Sequence, residues 1–346
     1  MSGATEGARA SAPVSVEVSG LNKWYGDFKA VDEVSFQIHA GEIVGFLGPN
    51  GAGKSTTMKI LTCFLGATSG SAKVAGYDVA EQSLEVRRRV GYLPETVPLY
   101  REMLVYDYLK FIAEMRGVPS GEIHRRIKET ADVCGLSHMI NRPIGELSKG
   151  YRQRVGLAQA LIHKPEVVIL DEPTSGLDPN QIIEIRDLIK EIGKEKTIIF
   201  STHILQEVSA VCDRILLIDK GKLVADGTVD DLERKVRQEE RYTVTFGATS
   251  GELPSEGELN QRLRKLAGVS GVEPIKARPR EASFFVRGPV GTDLRHEIFG
   301  LASAQGLALL GLHRQALTLE DIFRTLTGDA ARAAAESRAR VAQEGM

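Results

Sequence analysis

The residues best suited to chemistry begin at Gly48. The run Gly48-Pro49-Asn50-Gly51-Ala52-Gly53-Lys54-Ser55 fits the pattern GxxxxGK[ST], and Thr56 extends its hydroxyl-bearing end. Glycines let consecutive backbone N–H groups turn toward phosphate oxygens with no Cβ in the way. Lys54 can reach the β- and γ-phosphates of a nucleoside triphosphate, and the Ser55 hydroxyl can ligate Mg2+. Far along the chain, Val167-Val168-Ile169-Leu170 ends in Asp171-Glu172. An acid at the carboxyl end of a buried parallel strand lies where ligands bind in open α/β sheets. There Asp171 can hold Mg2+, directly or through water, and Glu172 can polarise an attacking water. The two constellations together imply a nucleoside triphosphatase.

Both need a sheet with its strand ends at one edge. Residues 43–47 are a short continuous apolar run, as a strand buried on both faces would be, and a helix is expected from Lys54 to about Leu65. Residues 167–170 and 197–200 read as further buried strands, 182–192 as a helix, and 215–224 as a hairpin with a short turn. Upstream, 14–20 and 31–38 alternate as antiparallel strands do, and 106–134 is helical with a break at Gly117-Val118-Pro119. Past a charged helical stretch at 230–240 the order becomes βαββαβ, the split βαβ pattern of a ferredoxin-like fold, with another helix expected at 318–326. Residues 1–13 read as a disordered leader and 329–346 as a frayed or flexible tail.

Composition narrows the class. The chain has 346 residues, about two domains' worth, and 42% hydrophobic with 26% charged residues is too apolar for a disordered polymer. Its formal net charge of −2 argues against a polyanion as main partner. No run reaches the roughly 18–20 uncharged apolar residues that span a bilayer, and no apolar signal segment opens the chain. Cys63, Cys134 and Cys212 are far apart with no CxxC spacing, which fits reduced thiols in the cytoplasm rather than a disulfide framework or zinc site.

Leu147-Ser148-Lys149-Gly150-Tyr151-Arg152-Gln153-Arg154 resembles the signature motif of ATP-binding-cassette (ABC) ATPases. Ser175-Gly176-Leu177-Asp178 resembles their D-loop, and His203 their switch histidine. The order of phosphate loop, signature, acid pair, D-loop and histidine is similar across about residues 16–232, and its wording looks most like ABC-2-type exporters, including the gliding-motility type. The resemblance implies an α/β fold: a P-loop NTPase ABC cassette with antiparallel β and helical subdomains over 14–235. A small C-terminal α+β (ferredoxin-like) accessory domain over 241–328 follows. It also implies that His203 contacts the γ-phosphate and that Tyr25 stacks on adenine, although Trp24 and Tyr25 could equally pack the hairpin. Ser148 and Gly150 would close on ATP held by a second subunit, so that two chains sandwich two nucleotides; alone, Ser148 would be read as a helix N-cap. Three residues depart from the family pattern. Lys149 and Tyr151 replace the commoner Gly and Gln of the signature, and Glu95 stands where the family usually has the Q-loop glutamine, a place from which a glutamate can still accept from water or approach Mg2+. Glu95 therefore adds a negative charge beside the γ-phosphate.

The expected activity is hydrolysis of ATP with Mg2+, driving a separate integral membrane permease, an exporter by resemblance, from the cytoplasmic face of the inner membrane. The alternative is a soluble ABC ATPase of translation or DNA. One phosphate loop, one signature and no long coiled coil argue against it, and direct nucleic-acid binding is not expected. Permease contact is expected around Val97, Pro98, Leu99, Tyr100, Met103 and Leu104, the apolar stretch just after Glu95.

Overall fold

The computed structural model describes residues 12–236, 239–248, 253–315, 322, 323 and 328. The chain divides into two compact units at the Val229–Asp230 junction. In the first, β1 (Val14–Tyr25) and β2 (Phe28–His39) form an antiparallel pair, followed by β3 (Ile43–Leu47) and α1 (Lys54–Leu61). Next come β4 (Ser69–Val74), β5 (Tyr77–Asp78), α2 (Ser83–Arg89) and β6 (Val90–Leu93). Three helices, α3 (Val105–Met115), α4 (Ser120–Val133) and α5 (Lys149–Leu161), precede β7 (Val167–Asp171) and α6 (Pro179–Gly193). The unit closes with β8 (Thr197–Thr202), α7 (Leu205–Val211), β9 (Arg214–Asp219) and β10 (Lys222–Gly227). Strands β2-β1-β4-β5 make an antiparallel sheet, and β10-β9-β3-β8-β7-β6 a second sheet, parallel except at β10.

Side-chain alternation divides the second sheet between two cores. Val44, Phe46, Val167, Ile169 and Ile199 pack with α1 and the antiparallel sheet. Val168, Leu170, Ile198 and Phe200 pack with α3, α4, α5 and α6. Burial on both faces is why these strands read as unbroken apolar runs, each such side chain contributing about 1.5–3 kcal/mol. Parallel pairing also brings the carboxyl ends together: Leu47 lies opposite Thr202, and Asp171 opposite Ser201. The loops after β3, β7 and β8 therefore leave from one edge.

α1 ends at Leu61, short of the expected Leu65. Phe64 N–H bonds Lys59 O at 2.8 Å and Cys63 N–H bonds Ile60 O at 3.0 Å, a Schellman closure. Cys63 occupies its left-handed position at φ +59°, outside the helix. The expected leader's last two residues are tied down, with Ala40 N–H on Pro13 O and the His39 ring on Ala12 O, both at 2.9 Å. Residues 1–11, the tail at 329–346 and most of the helix expected at 318–326 lie outside the described residues.

Beyond α8 (Val229–Val236), the second unit runs β11 (Glu239–Ala248), α9 (Glu256–Arg264), β12 (Gly271–Ile275), β13 (Glu281–Pro289), α10 (Arg295–Ala304) and β14 (Leu307–Gln315). Its sheet order is β12-β13-β11-β14 with every neighbouring pair antiparallel. β11 and β12 are thus parallel with β13 between them, which is the split βαβ arrangement. Glu240, expected in the charged helix, belongs to β11 and is buried, accepting from the Arg314 guanidinium at 2.6 and 2.7 Å. Among the described residues no helix is long and apolar enough to cross a membrane.

Candidate active site

A cleft of about 430 Å3 opens over the β3–α1 loop, a volume suited to a nucleotide. Of the residues expected there, Tyr25, Asn50, Gly51, Gly53, Lys54, Ser55, Thr56, Glu95, Glu172 and His203 line it. Gly48 and Pro49 lie under the loop, where their carbonyls accept from Lys54 Nζ at 2.8 and 3.2 Å. Ala52 is buried. Its carbonyl accepts the Gly221 N–H at 3.0 Å, while Asp32 N–H bonds Gly221 O at 2.8 Å. The β9–β10 turn therefore braces the phosphate loop against β2.

Asp171 is 2% exposed and sits behind Ser55, whose hydroxyl donates to its Oδ1 at 3.1 Å. Ser201 Oγ donates to the same oxygen at 2.6 Å and accepts the Glu172 N–H at 3.0 Å. One buried hydroxyl thereby fixes both acids of the pair. Glu172 occupies the left-handed region at φ +49°, a strained conformation for a side chain of this size. Its carboxylate meets Lys54 Nζ at 3.4 Å and His203 Nδ1 at 2.9 Å. Because a carboxylate only accepts, Nδ1 carries the proton of that bond. Glu172 is 6% exposed, whereas the His203 side chain is 45% exposed and faces the cleft. Behind them, the Tyr92 hydroxyl is buried with no partner among the described residues. Burial first, then Asp171 and Glu95, push its pKa well up, keeping the phenol protonated.

Sequence reasoning missed several residues. Phe28 and Ala30 line the cleft beside Tyr25 across the β1–β2 turn; an exposed aromatic two residues past Gly26 was the available signal. Ser201 and Thr202 were legible as hydroxyls ending an apolar strand immediately before His203. Thr174 and Glu207 carried no sequence signal.

The remaining expected residues lie outside the cleft. Ser148 N-caps α5, accepting Tyr151 N–H at 3.3 Å, and Asp178 N-caps α6, accepting Gln181 N–H at 3.0 Å. The two helix starts touch at Gly150, where a Cβ would come within 2.8 Å of the Gln181 side chain. A recess of about 300 Å3 next to them is lined by Lys149, Arg152 and Gln153, and shares Glu95 and Ser175 with the nucleotide cleft. Val97, Leu99 and Met103 pack against the helical core, leaving Pro98 and Tyr100 as the exposed members of that stretch.

Comparison with known proteins converges on one family. The ABC transporter family model matches residues 31–175. An uncharacterised ABC transporter ATP-binding protein of Methanocaldococcus jannaschii is 42% identical over 222 residues, 64% of this chain and 80% of the relative. The linearmycin resistance ATP-binding protein of Bacillus subtilis is 30% identical over 314 residues, 90% of this chain and 98% of the relative. Among solved structures, CbiO1 of Clostridium perfringens, part of the CbiONQ transporter complex, superposes with a TM-score of 0.58 at 30% identity, over 64% of this chain and 94% of that one. A phosphate loop, an acid pair and a histidine at one sheet edge, in a chain alike over these lengths, identify it: the protein belongs to the ATP-binding subunits of ABC transporters and is an ABC-type ATPase.

Proposed function

We propose that the chain hydrolyses ATP with Mg2+ as one half of a homodimer and thereby drives a separate integral membrane permease, an exporter, from the cytoplasmic face. The observation that carries the catalytic part is the placement of Glu172 between Lys54 and His203 at the mouth of the phosphate loop. Lys54 stabilises charge on the γ-phosphate, Glu172 orients and deprotonates the attacking water, and His203 contacts the terminal phosphate. Asp171, Glu172 and Glu95 outnumber Lys54 around the cleft, so a polyanionic triphosphate needs a cation with it. Ser55 and Asp171 offer adjacent oxygen donors and Glu95 a third nearby, which suits a hard cation taking the rest of its shell from phosphate and water. That cation would neutralise charge developing on the phosphates. Tyr25 and Phe28 provide an apolar platform for a base.

Ser148, Gly150 and Asp178 stand outside the chain's own nucleotide cleft, which supports their use on a second subunit's ATP. A permease partner is supported by CbiO1's place in a transporter complex. Export is supported by the linearmycin resistance relative, which is alike across nearly its whole length. For docking we propose the exposed Pro98 and Tyr100, and for residues 241–328 an accessory role.

The test is Glu172→Gln. ATP binding should persist while turnover falls by about 100-fold to 10,000-fold, the usual contribution of a general base. Turnover near the wild-type rate would remove Glu172 from catalysis.

A further inference from the structure

We propose that Glu207 is a positioning residue for hydrolysis, joining the two segments that carry Glu172 and His203. Its side chain is fully buried (0% exposed) in the first turn of α7. One oxygen, Oε2, accepts both the Thr174 hydroxyl and the Thr202 hydroxyl, each at 2.7 Å. The other, Oε1, is buried with no partner among the described residues.

The two threonines are local anchors of the catalytic loops. Thr202 Oγ1 also accepts the Ile204 N–H at 3.1 Å, closing a turn around His203. Thr174 lies in the turn that leaves Glu172, where Ser175 N–H bonds Glu172 O at 3.1 Å and Leu177 N–H bonds Thr174 O at 3.2 Å. In front, His203 Nδ1 meets Glu172 Oε2 at 2.9 Å. The contacts form a closed ring running from Glu172 through Thr174, Glu207 and Thr202 to His203 and back. Cutting it at Glu207 leaves the Glu172–His203 contact to close the ring in front, with Ser201 holding the Glu172 N–H at the strand ends through its hydroxyl and carbonyl.

Stability alone gives a poor reason for this group. A buried carboxyl with one unpartnered oxygen is costly, and an apolar side chain would fill the same place at lower cost. What the carboxyl supplies is one acceptor shared by two donors from different strand ends, which sets the distance between them. That distance determines whether Glu172 and His203 address the same phosphate and water, and a displacement near 1 Å can cost about 100-fold in rate.

The inference rests on the reading of Glu172 and His203 given above. Glu207→Leu removes both bonds but risks the fold, so Thr174→Val and Thr202→Val carry the test, with Thr→Ser at each position as rescue. Each valine variant should lower kcat by about tenfold to 100-fold. The KM, and the affinity for a fluorescent ATP analogue, should stay within about twofold, and serine should restore most of the rate. Valine variants with wild-type kcat would overturn the proposal. So would kcat, nucleotide affinity and melting temperature falling together without serine rescue, because Glu207 would then only hold the fold. Glu172→Gln measured alongside separates the two levels. An active Glu172→Gln sinks the reading of the whole site, whereas a slow Glu172→Gln with unaffected valine variants overturns the Glu207 link alone.

Discussion

Two glycines of the phosphate loop should respond very differently to alanine. Gly53 has φ +104°, and a Cβ there would stand 2.4 Å from the carbonyl oxygen of Ala30, a backbone atom of β2. Gly51 has φ +79° and nothing within 4 Å of its would-be Cβ. Both substitutions force a side chain into a positive φ, costing about 1–3 kcal/mol. Only Gly53→Ala must also separate two backbones, and an overpacking cost of about 1–3 kcal/mol brings its total near 4 kcal/mol. For a unit of about 200 residues, 1 kcal/mol shifts the melting temperature by roughly 2–4 °C. Gly53→Ala should therefore lower the transition by about 8–16 °C, and Gly51→Ala, at about 2 kcal/mol, by about 4–8 °C. Calorimetry on nucleotide-free protein reads this without interference from a ligand occupying the space around Gly51. Equal shifts for the two variants, or a Gly53→Ala shift below about 3 °C, would refute the argument that contact with Ala30 sets the loop.

His163 should make stability pH-dependent. Burial first, then Arg116, push its pKa down to about 4 from 6.5, and its Nδ1 is buried with no partner among the described residues. The unfolded chain takes up the proton first, so stability is complete above about pH 6.5 and falls through the window down to about pH 4, by up to about 3 kcal/mol. Urea midpoints at pH 7 and 4.5 should diverge less in His163→Gln; equal divergence would discount the residue. For the dimer, Glu172→Gln with Mg-ATP should scatter light at roughly twice the monomer mass. Adding Ser148→Arg should return it to monomer, and a Glu172→Gln protein that never dimerises would count against the sandwich.

Legibility in the sequence followed burial and locality. β3, β7 and β8 could be read because both faces are buried, and the phosphate loop because its chemistry demands fixed residue types at fixed spacing. β4 was missed: Ser69-Gly70-Ser71-Ala72-Lys73-Val74 buries Ala72 and Val74 alone, too little alternation to stand out. β6 is four residues long, below the length at which a pattern declares itself. At the site, Lys54, Ser55, Asp171 and Glu172 were identifiable from local motifs. His203 needed the family resemblance, because a lone histidine at a strand end is usually structural. Ser201 was legible only as a hydroxyl at a strand end, while Thr174 and Glu207 meet across a gap of 33 residues, and neither a hydroxyl nor a carboxyl in apolar surroundings gives a periodic signal of such a partner.

The brace of Gly221 against Ala52 bears on how this protein is made. By the time a ribosome has delivered Lys54 and Ser55, every residue type of the phosphate loop exists, yet the turn that steadies the loop will be translated more than 160 residues later. The strands flanking β3, which are β8 and β9, also arrive late. A nascent chain therefore exposes an apolar central strand with two open edges while the roughly 150 residues between β3 and β8 are made, a state prone to off-pathway pairing and slow to resolve. A chain released before β9 and β10 would carry the phosphate loop, the signature, the acid pair and the histidine, and would still lack the brace that fixes the loop.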